Sequence, residues 1–543
     1  MTDPFVEPTT QTDPRLAQIE QAIAARDIGL AVKLAEEALA GGAAHPLLFN
    51  LRALRAEDEG RLTDSLADLE RARALAPGDI SVLNALGLCL TRLGRHEEAI
   101  DAFEQATGLA ADFTQAWNNR GIAELQLGRL EEARRSFETA SALQPGFAEP
   151  RGHLALMAAR RGDRDEARSA ALAALAIKPR LREAVQAMAE VELAEGDLTG
   201  AERRLRELLG DPTLGPYGRY YAQGLLGDVL DRQDRIREAF DAYQTANQVH
   251  YRTHAAQFGR HGLTETVIEL HQAFRDLGPA GDPVSPPPET SPASQHIFLI
   301  GFMRSGTTLM EQVLASVPGA VSLEEKEALV SGVNAYMSGA EGMRRLAGAD
   351  QAELAVHRAD YWERVRRFGV EPAGRVFVDK MPLNGMKLPL IQRLFPEASI
   401  VFSIRDPRDV IFSCFKHRFA VTSHTYPLLT LPTAVRFYDA YMAGVETYRA
   451  ALPLKLHRYR HEDLVGDFDG QVKALCDFLG VAWSEAMRDI GARSRRGLVA
   501  SPSAPQLLSG LSSAGVQQWR RYETELAPYY GGLRPWVDAF GYE

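Results

Sequence analysis

The chain has 543 residues, of which 45% are hydrophobic and 24% charged, a mix close to that of average soluble domains. This composition excludes wholesale disorder, a collagen helix and a small disulfide scaffold. The longest relevant apolar run, "IFLIGF" at 297–302, falls far short of the roughly 18 residues that a spanning helix needs, which excludes a polytopic membrane protein. With 61 Lys and Arg against 72 Asp and Glu, the net charge is −11, which argues against wholesale nucleic-acid binding.

Cysteine usage and the first residues bear on the compartment. Cys89, Cys414 and Cys476 are scattered and form neither a metal-spaced cluster nor a disulfide framework, which fits a reducing compartment. Residues 1–15 have neither the basic segment nor the apolar segment of a secretory signal. We therefore expect a cytoplasmic protein with no membrane partner.

The first half of the sequence repeats with a period of 34 residues. Glycines recur at that step, a small residue follows each after five positions, and prolines close several units. The glycines are Gly60, Gly94, Gly128, Gly162 and Gly196; the small residues are Ser65, Ala99, Ala133, Ala167 and Ala201; the prolines are Pro77, Pro145 and Pro179. Each unit is predicted to be a helix, a tight turn at the glycine, and a second helix that the proline ends.

This pattern resembles the tetratricopeptide repeat, and the unit that matches best covers 115–148. A degenerate unit precedes the regular ones around Ala31, and another follows over 217–251, displaced by four residues. An α-solenoid of roughly six or seven units is therefore predicted over 13–255.

The resemblance implies a concave groove that holds a peptide or protein. Asn118 and Asn119 lie on the first helix of the best unit, whose face usually lines the groove in this family, and are candidates to clamp a peptide backbone. The alternative is a spacer or dimerisation surface with solvated asparagines.

Proline marks the boundary to a second domain. Residues 279–294 hold six prolines, which neither a helix nor a strand ladder accommodates, so this segment is predicted to be a linker. In 295–543 the strand candidates "HIFLIGF", "RVFVDK", "SIVFSIRD" and "LKLHRYRHEDL" alternate with helical stretches. This alternation predicts an α/β domain with a parallel sheet after the α-solenoid.

The first strand of this domain runs into a glycine loop and then a helix, "GFMRSGTTLMEQVLA" at 301–315. Backbone amides and a helix N-terminus make such a P-loop-like turn an anion site. The spacing from Gly301 to Gly306 suits a nucleotide-binding P-loop, but Thr307 stands where that loop has lysine, which disfavours a metal-dependent NTPase. The guanidinium group of Arg304 has paired donors whose geometry suits an oxyanion. A turn without any ligand is the remaining alternative.

Three hydroxyl side chains of the loop, Ser305, Thr307 and Thr308, add donors. The loop "GFMRSGTTL" resembles the 5′-phosphosulfate loop of sulfotransferases, which use 3′-phosphoadenosine 5′-phosphosulfate (PAPS). The resemblance implies a 3′-phosphate site built from an arginine at a strand end and a serine eight residues later. Arg405 and Ser413 have that spacing. The alternative for Arg405 is an ion pair with a nearby aspartate.

Further motifs resemble the protein-tyrosine sulfotransferases and their bacterial repeat-bearing relatives. The family's catalytic glutamate lies 21 residues after the loop arginine, which is Glu325, and its catalytic lysine falls on Lys380 in "DKMPLN". The C-terminal "QLLSGLSSAGVQQW" matches the family's C-terminal loop, with Ser503 implied in co-substrate binding. A phenol has a pKa of about 10 and needs a base, which is the role implied for Glu325. Lys380 and Arg304 are implied to stabilise the leaving phosphate oxygen, without metal.

The sequence departs from that family at four positions. His417 stands where the family has arginine, with Arg418 beside it, and His461 replaces a tyrosine. Gln518 precedes the C-terminal tryptophan where the family prefers Lys or Arg, and Glu327 stands where the animal enzymes read acidic peptides with an arginine.

The resulting hypothesis is a PAPS-dependent sulfotransferase whose repeats present a client, with a peptide or protein tyrosine as the preferred acceptor. Two alternatives stay open: sulfation of a small molecule or glycan, and a repeat scaffold with a degenerate transferase domain.

Overall fold

The computed structural model describes residues 15–259, 262–278, 291–491 and 510–543. Packing divides the chain into two compact units, Met1–Val191 and Glu192–Glu543, and the division falls inside the predicted repeat array.

The domain bounds drawn from the sequence, 13–255, 279–294 and 295–543, stay predictions. Most of the predicted proline-rich linker, 279–290, lies outside the described residues.

The first unit consists of antiparallel helical hairpins. Its helices are α1 Arg15–Ala24, α2 Ile28–Ala40, α3 Pro46–Asp58, α4 Leu62–Leu75, α5 Ile80–Arg92, α6 His96–Leu109, α7 Thr114–Gln126, α8 Leu130–Leu143, α9 Ala148–Arg161, α10 Arg164–Ile177 and α11 Arg182–Glu195, which crosses into the second unit.

Glycine has two separate uses in these hairpins. The glycines at the 34-residue step all have positive φ, for example 73° at Gly128, so the predicted turn conformation is the one observed. Within the helices, a Cβ on Gly121 would lie 2.7 Å from the Phe137 ring, and a Cβ on Gly87 would lie 2.5 Å from the Phe103 ring. These glycines let the two helices of a hairpin pack closely against an aromatic side chain.

The second unit begins with further helices. They are α12 Leu198–Leu209, α13 Pro216–Arg232, α14 Ile236–Thr253, α15 Ala255–Phe258 and α16 Leu263–Leu277. Helices α13 and α14 form the hairpin that the sequence predicts as the displaced last repeat, and Ala239 and Tyr243 of α14 are buried.

A five-stranded parallel sheet follows, in the order β2-β3-β1-β4-β5. Its strands are β1 Gln295–Gly301, β2 Val321–Glu324, β3 Val376–Lys380, β4 Ser399–Ile404 and β5 Lys455–Arg460. The central strands β1 and β4 are apolar and buried almost throughout, as a sheet covered on both faces requires. The predicted fold class, helical repeats followed by a parallel α/β domain, is therefore confirmed.

Helices and short 3₁₀ turns cover the sheet. The α-helices are α17 Thr307–Ala315, α18 Val330–Tyr336, α19 Gly339–Gly348, α20 Gln351–Arg367, α21 Leu388–Leu394, α22 Pro407–Lys416, α23 Leu431–Ala451, α24 His461–Gly466, α25 Phe468–Leu479, α26 Glu523–Leu526 and α27 Tyr530–Ala539. The 3₁₀ turns are Pro382–Lys387, Tyr426–Leu429, Glu485–Arg488, Gln518–Tyr522 and Ala527–Tyr529. Within the described ranges, no helix combines the length and apolarity needed to cross a lipid bilayer.

Candidate functional site

The residues singled out in the sequence follow the carboxyl ends of the parallel strands. Glu325 comes directly after β2, Lys380 ends β3, Arg405 follows β4 and His461 follows β5, while the glycine loop leaves the central strand β1. The carboxyl ends of parallel strands meet at one edge of a sheet, so the topology collects these side chains at the usual ligand-binding edge of an α/β fold.

The glycine loop 301–306 has the close packing and backbone conformation of an anion cradle. A Cβ on Gly301 would lie 2.5 Å from the Ser305 Oγ and 2.8 Å from the Ser403 carbonyl oxygen, so only glycine fits there. Arg304 has φ 66° and Gly306 has φ 98°, and this turn leads into the N-terminus of α17 at Thr307. The successive turn amides and the helix N-terminus favour a bound anion.

The hydroxyl donors of the loop are buried. Ser305 has no exposed surface, and its Oγ has no hydrogen-bond partner among the described residues. Thr307 and Thr308 are also buried, in the first turn of α17. A buried hydroxyl without a partner costs free energy unless a ligand satisfies it, so Ser305 fits a site that accepts an oxyanion.

Three of the predicted nucleotide-binding residues contact one another. Arg304 Nε donates to Ser413 Oγ at 3.1 Å, and Arg405 Nη1 donates to the Arg304 carbonyl oxygen at 3.0 Å. The predicted alternative for Arg405, an ion pair, is weak here, because its Nη2 lies 3.8 Å from Asp409 Oδ2. The Arg405 Nε is buried without a hydrogen-bond partner in the described part of the chain, and so remains available to a ligand.

A further cation, Lys416, was not singled out in the sequence. It ends α22, three residues after Ser413, and its Nζ donates to Gln518 Oε1 at 2.8 Å. Burial lowers the pKa of Lys416 and the cations Arg304 and Arg405 act in the same direction, while Asp231 and Asp228 partly oppose the fall. The helical spacing from Ser413 was the signal that could have identified it.

His417 and His461, two histidines singled out in the sequence, are partly buried and neutral. Burial lowers the pKa of His417 to about 3, with Arg304, Arg418 and Lys416 contributing, and lowers that of His461 to about 3. A Cβ on Gly306 would lie 2.4 Å from His461 Nδ1, so this imidazole packs directly against the loop.

The predicted catalytic pair is assembled at the other end of the site. Lys380 Nζ lies 2.6 Å from Glu325 Oε1, 3.3 Å from Glu311 Oε2 and 3.9 Å from Glu324 Oε1. The Lys380 side chain has no exposed surface. Burial would lower the pKa of Lys380, but Glu311 and Glu325 outweigh it and the pKa lies above its usual value, so the ammonium stays charged.

Glu311 is the second residue of this site that sequence reasoning missed. It lies on α17, only 1% exposed, and accepts a hydrogen bond from Ser322 on β2. A glutamate within the otherwise largely apolar helix that follows the loop was a usable signal, since such a position is buried and carboxylates are rarely buried without a cation.

Beside this pair lies a second ion pair, between Glu327 and Lys387. Lys387 Nζ donates to both carboxylate oxygens, at 2.7 and 3.0 Å. The Lys387 side chain is buried, whereas 39% of the Glu327 side chain is exposed. The Glu327 carboxylate is therefore partly open to solvent, two residues after Glu325 in the sequence.

The C-terminal segment reaches the anion-binding residues. Arg405 Nη2 donates to the Gly515 carbonyl oxygen, and Trp519 Nε1 donates to Asp406 Oδ2 at 3.1 Å. Ser503, predicted to bind co-substrate, lies outside the described residues.

Models of two protein families match parts of the chain. Residues 296–485 match the model of the sulfotransferase family. Residues 50–116 and 114–147 match models of the tetratricopeptide repeat. The chain therefore carries a sulfotransferase-family domain together with tetratricopeptide repeats, and the family match supports sulfuryl transfer as the chemistry of that domain.

Among individual proteins, the chain is similar to an uncharacterized protein of Aquifex aeolicus (strain VF5), with 24% identity over 360 residues. The match covers 62% of this chain and 44% of that protein, so the chain spans less than half of the relative's length.

Two solved structures are similar in part. A tetratricopeptide repeat protein from Parabacteroides merdae ATCC 43184 is 18% identical and covers 43% of this chain and 91% of its own, with a TM-score of 0.36. A thermophilic tetratricopeptide repeat protein of Thermus thermophilus is 22% identical and covers 33% of this chain and 98% of its own, with a TM-score of 0.30.

Proposed function

We propose that the protein transfers a sulfuryl group from PAPS to a hydroxyl acceptor, preferably a peptide or protein tyrosine. The observation that carries the proposal is the contact of 2.6 Å between Lys380 Nζ and Glu325 Oε1, at the same sheet edge as the glycine loop. A base and a buried cation side by side are what attack by a phenol and departure of a phosphate require.

The residues of the site fit a nucleotide with phosphate groups at both ends. Ser305, Gly306, Thr307 and Thr308 would hold the phosphosulfate, and the buried donor of Ser305 that lacks a partner in the described chain supports this. At the next strand end, Arg405 and Ser413 would hold the 3′-phosphate.

PAPS supplies an activated sulfuryl group, and the protein supplies the base and the cations. Glu325 takes the acceptor proton as the acceptor oxygen bonds to sulfur, while the bond from sulfur to the bridging phosphate oxygen breaks and its electrons leave with 3′-phosphoadenosine 5′-phosphate. Lys380 and Arg304 stabilise the negative charge that develops on that oxygen. The Lys380 side chain is fully buried and Arg304 is partly buried, and such stabilisation is stronger there than in water.

A small-molecule or glycan hydroxyl is the second candidate acceptor, and one observation favours it. Glu327 presents a half-exposed carboxylate two residues after the base, and its partner Lys387 is buried. Because Lys387 Nζ binds both carboxylate oxygens of Glu327, this pair offers no net positive charge to attract an acidic peptide. The tyrosine proposal therefore concerns a peptide without acidic residues next to the acceptor.

For the repeats, we propose the recruitment of a peptide or protein client. Within the array Asn118 is buried, and Asn119 Nδ2 donates to Asn84 Oδ1 at 3.0 Å. The Asn118 Oδ1 is buried without a hydrogen-bond partner among the described residues, so the two asparagines stay candidates to bind a client backbone.

The first test is a calorimetric titration of the full chain with 3′-phosphoadenosine 5′-phosphate, without metal. We expect wild-type binding and a loss of about tenfold or more in affinity for Arg405→Ala, because hydrogen bonds from a charged group contribute about 1.5–3 kcal/mol. Arg458→Ala, on the neighbouring strand β5 with 40% of its side chain exposed, is the matched control and should bind as the wild type. Absence of binding by the wild-type chain would rule out the proposal.

A further inference from the structure

The end of helix α22 passes from the nucleotide site to the helical hairpin α13–α14. This helix carries Ser413, which contacts Arg304, and it ends at Lys416. The residues that follow, 417–419, then run along the hairpin. All these residues lie in the second compact unit.

Side chains of the hairpin bind carbonyl groups around the end of α22. Asn247 Nδ2 on α14 donates to the Phe415 carbonyl oxygen at 2.7 Å, and both groups are buried. Tyr220 OH on α13 donates to the Phe419 carbonyl oxygen at 3.2 Å. The last carbonyls of a helix lack partners within the helix, so Asn247 acts as a C-terminal cap for the helix that carries Ser413.

An ion pair fixes the next residue. Arg418 Nη1 lies 2.6 Å from Asp228 Oδ2 on α13, and the other Asp228 oxygen accepts from Tyr243 OH at 2.9 Å. A Cβ on Gly224 would lie 2.7 Å from Arg418 Cδ, so the glycine lets this arginine lie across the helix. Arg418 is therefore held by the hairpin. It does not take the place of the arginine that the protein-tyrosine sulfotransferases have where this chain has His417.

The hairpin also holds the C-terminal segment and supplies counter-charge to the site. Arg521 Nη1 lies 2.6 Å from Asp231 Oδ1, and its Nη2 lies 2.9 Å from Asp234 Oδ1. The charge of Lys416 interacts with those of Asp231 and Asp228 on α13 and with those of Arg304 and Arg405 in the site. The two aspartates oppose the fall in the pKa of Lys416 that burial causes.

We infer that the hairpin α13–α14 is a positioning element of the nucleotide site, with Asp228 acting through Arg418 and Lys416 and Asn247 acting through the end of α22. The inference rests on the proposed function, because the site it positions is the proposed 3′-phosphate site. It assigns the last repeat-like hairpin to the transferase unit, where it serves the nucleotide rather than a client.

The test is the affinity of the full chain for 3′-phosphoadenosine 5′-phosphate in Asp228→Asn. We expect affinity to fall about five- to tenfold, because Arg418 is released and Lys416 loses counter-charge. Asp241→Asn, at an exposed position of α14, is the matched control and should bind as the wild type. Thermal unfolding of each variant reports whether it is folded.

Two readouts separate positioning from simple support of the fold. In Asp228→Asn the pH above which binding declines should move downward, because Lys416 loses a neighbouring negative charge and gives up its proton more readily. The double variant Asp228→Asn with Arg418→Gln should bind about as weakly as Asp228→Asn alone, since the contact between Asp228 and Arg418 is already lost in that single variant. Arg418→Lys, which keeps the charge, should retain most of the affinity.

The failures of the two proposals are distinguishable. A wild-type chain that does not bind the nucleotide overturns the proposed function and this inference with it. A wild-type chain that binds, with Asp228→Asn binding equally well, overturns this inference alone. If Asp228→Asn does not fold, Arg418→Gln, which removes the same ion pair from the other side, takes its place, and unchanged affinity there is the overturning result.

Discussion

Glu324 and Glu325 are neighbours in the sequence but differ in the structure. Glu325 lies 2.6 Å from Lys380 Nζ and 39% of its side chain is exposed, whereas Glu324 lies 3.9 Å away and is 19% exposed. A base must contact both the acceptor, which arrives from solvent, and the cation that orients it. Glu325 meets both demands, in a backbone conformation with φ 47° that is costly for a residue with a side chain.

We predict that Glu325→Gln lowers the rate of sulfuryl transfer to a tyrosine peptide by about 10²–10⁴, the usual contribution of a general base. Affinity for 3′-phosphoadenosine 5′-phosphate should stay close to that of the wild type, because the amide replaces the carboxylate without changing its size. Transfer kinetics together with calorimetry measure the two effects. Glu324→Gln is the matched control. A loss of rate as large there as in Glu325→Gln would contradict the assignment of Glu325 as the base.

The loop between β1 and α17 is the element whose geometry was most predictable from sequence. The glycine spacing indicates a turn that approaches neighbouring backbone, and Gly301 and Gly306 show the close contact and the positive φ that such a turn needs. The residue that Gly306 packs against was not predictable, because His461 lies about 150 positions later and reaches the loop only through the parallel sheet.

We predict that Gly306→Ala abolishes binding of 3′-phosphoadenosine 5′-phosphate. The new methyl group would lie 2.4 Å from His461 Nδ1, at a φ of 98° that disfavours any side chain, so the loop must leave its anion-binding conformation. Gly319→Ala is the matched control, with φ 76° and no atom within 4 Å of the added carbon. It carries the backbone strain of about 1 kcal/mol without the clash. Equal affinities in the two variants would contradict the prediction.

Across the whole molecule, features that depend on residues close in the sequence were predictable, whereas contacts between distant elements were not. The 34-residue glycine period predicted the helical hairpins, and alternating apolar strands predicted the parallel sheet whose edge gathers Glu325, Lys380 and Arg405. These predictions rest on spacing within a few dozen residues. The counter-charge of Lys416 comes from Asp231 and Asp228, on a hairpin that the sequence pattern assigns to the repeats. The period of a repeat does not indicate which other element the outer face of that repeat packs against.

Three neutral histidines in the second unit make the stability of the protein depend on pH. Burial lowers the pKa of His296, His417 and His461 to about 3, far below the usual value of about 6.5. Between these values the unfolded chain binds protons that the folded chain does not, so the free energy of unfolding falls as the pH falls. Asp379 acts in the opposite direction below its pKa of about 7, because its carboxyl group is protonated in the folded chain.

His296 offers the clearest test of this linkage. It is buried among aromatic rings, with its Nε2 3.0 Å from Tyr361 OH and its ring 4.3 Å from that of Phe298. We expect His296→Phe to lower the pH slope of the unfolding free energy by about 1.4 kcal/mol per pH unit, the value for one proton. Urea unfolding of the full chain between about pH 5 and about pH 6 measures that slope. Phe298→Leu disturbs the same cluster without removing a titrating group, so it should lower stability equally at every pH. A slope in His296→Phe equal to that of the wild type would contradict the prediction.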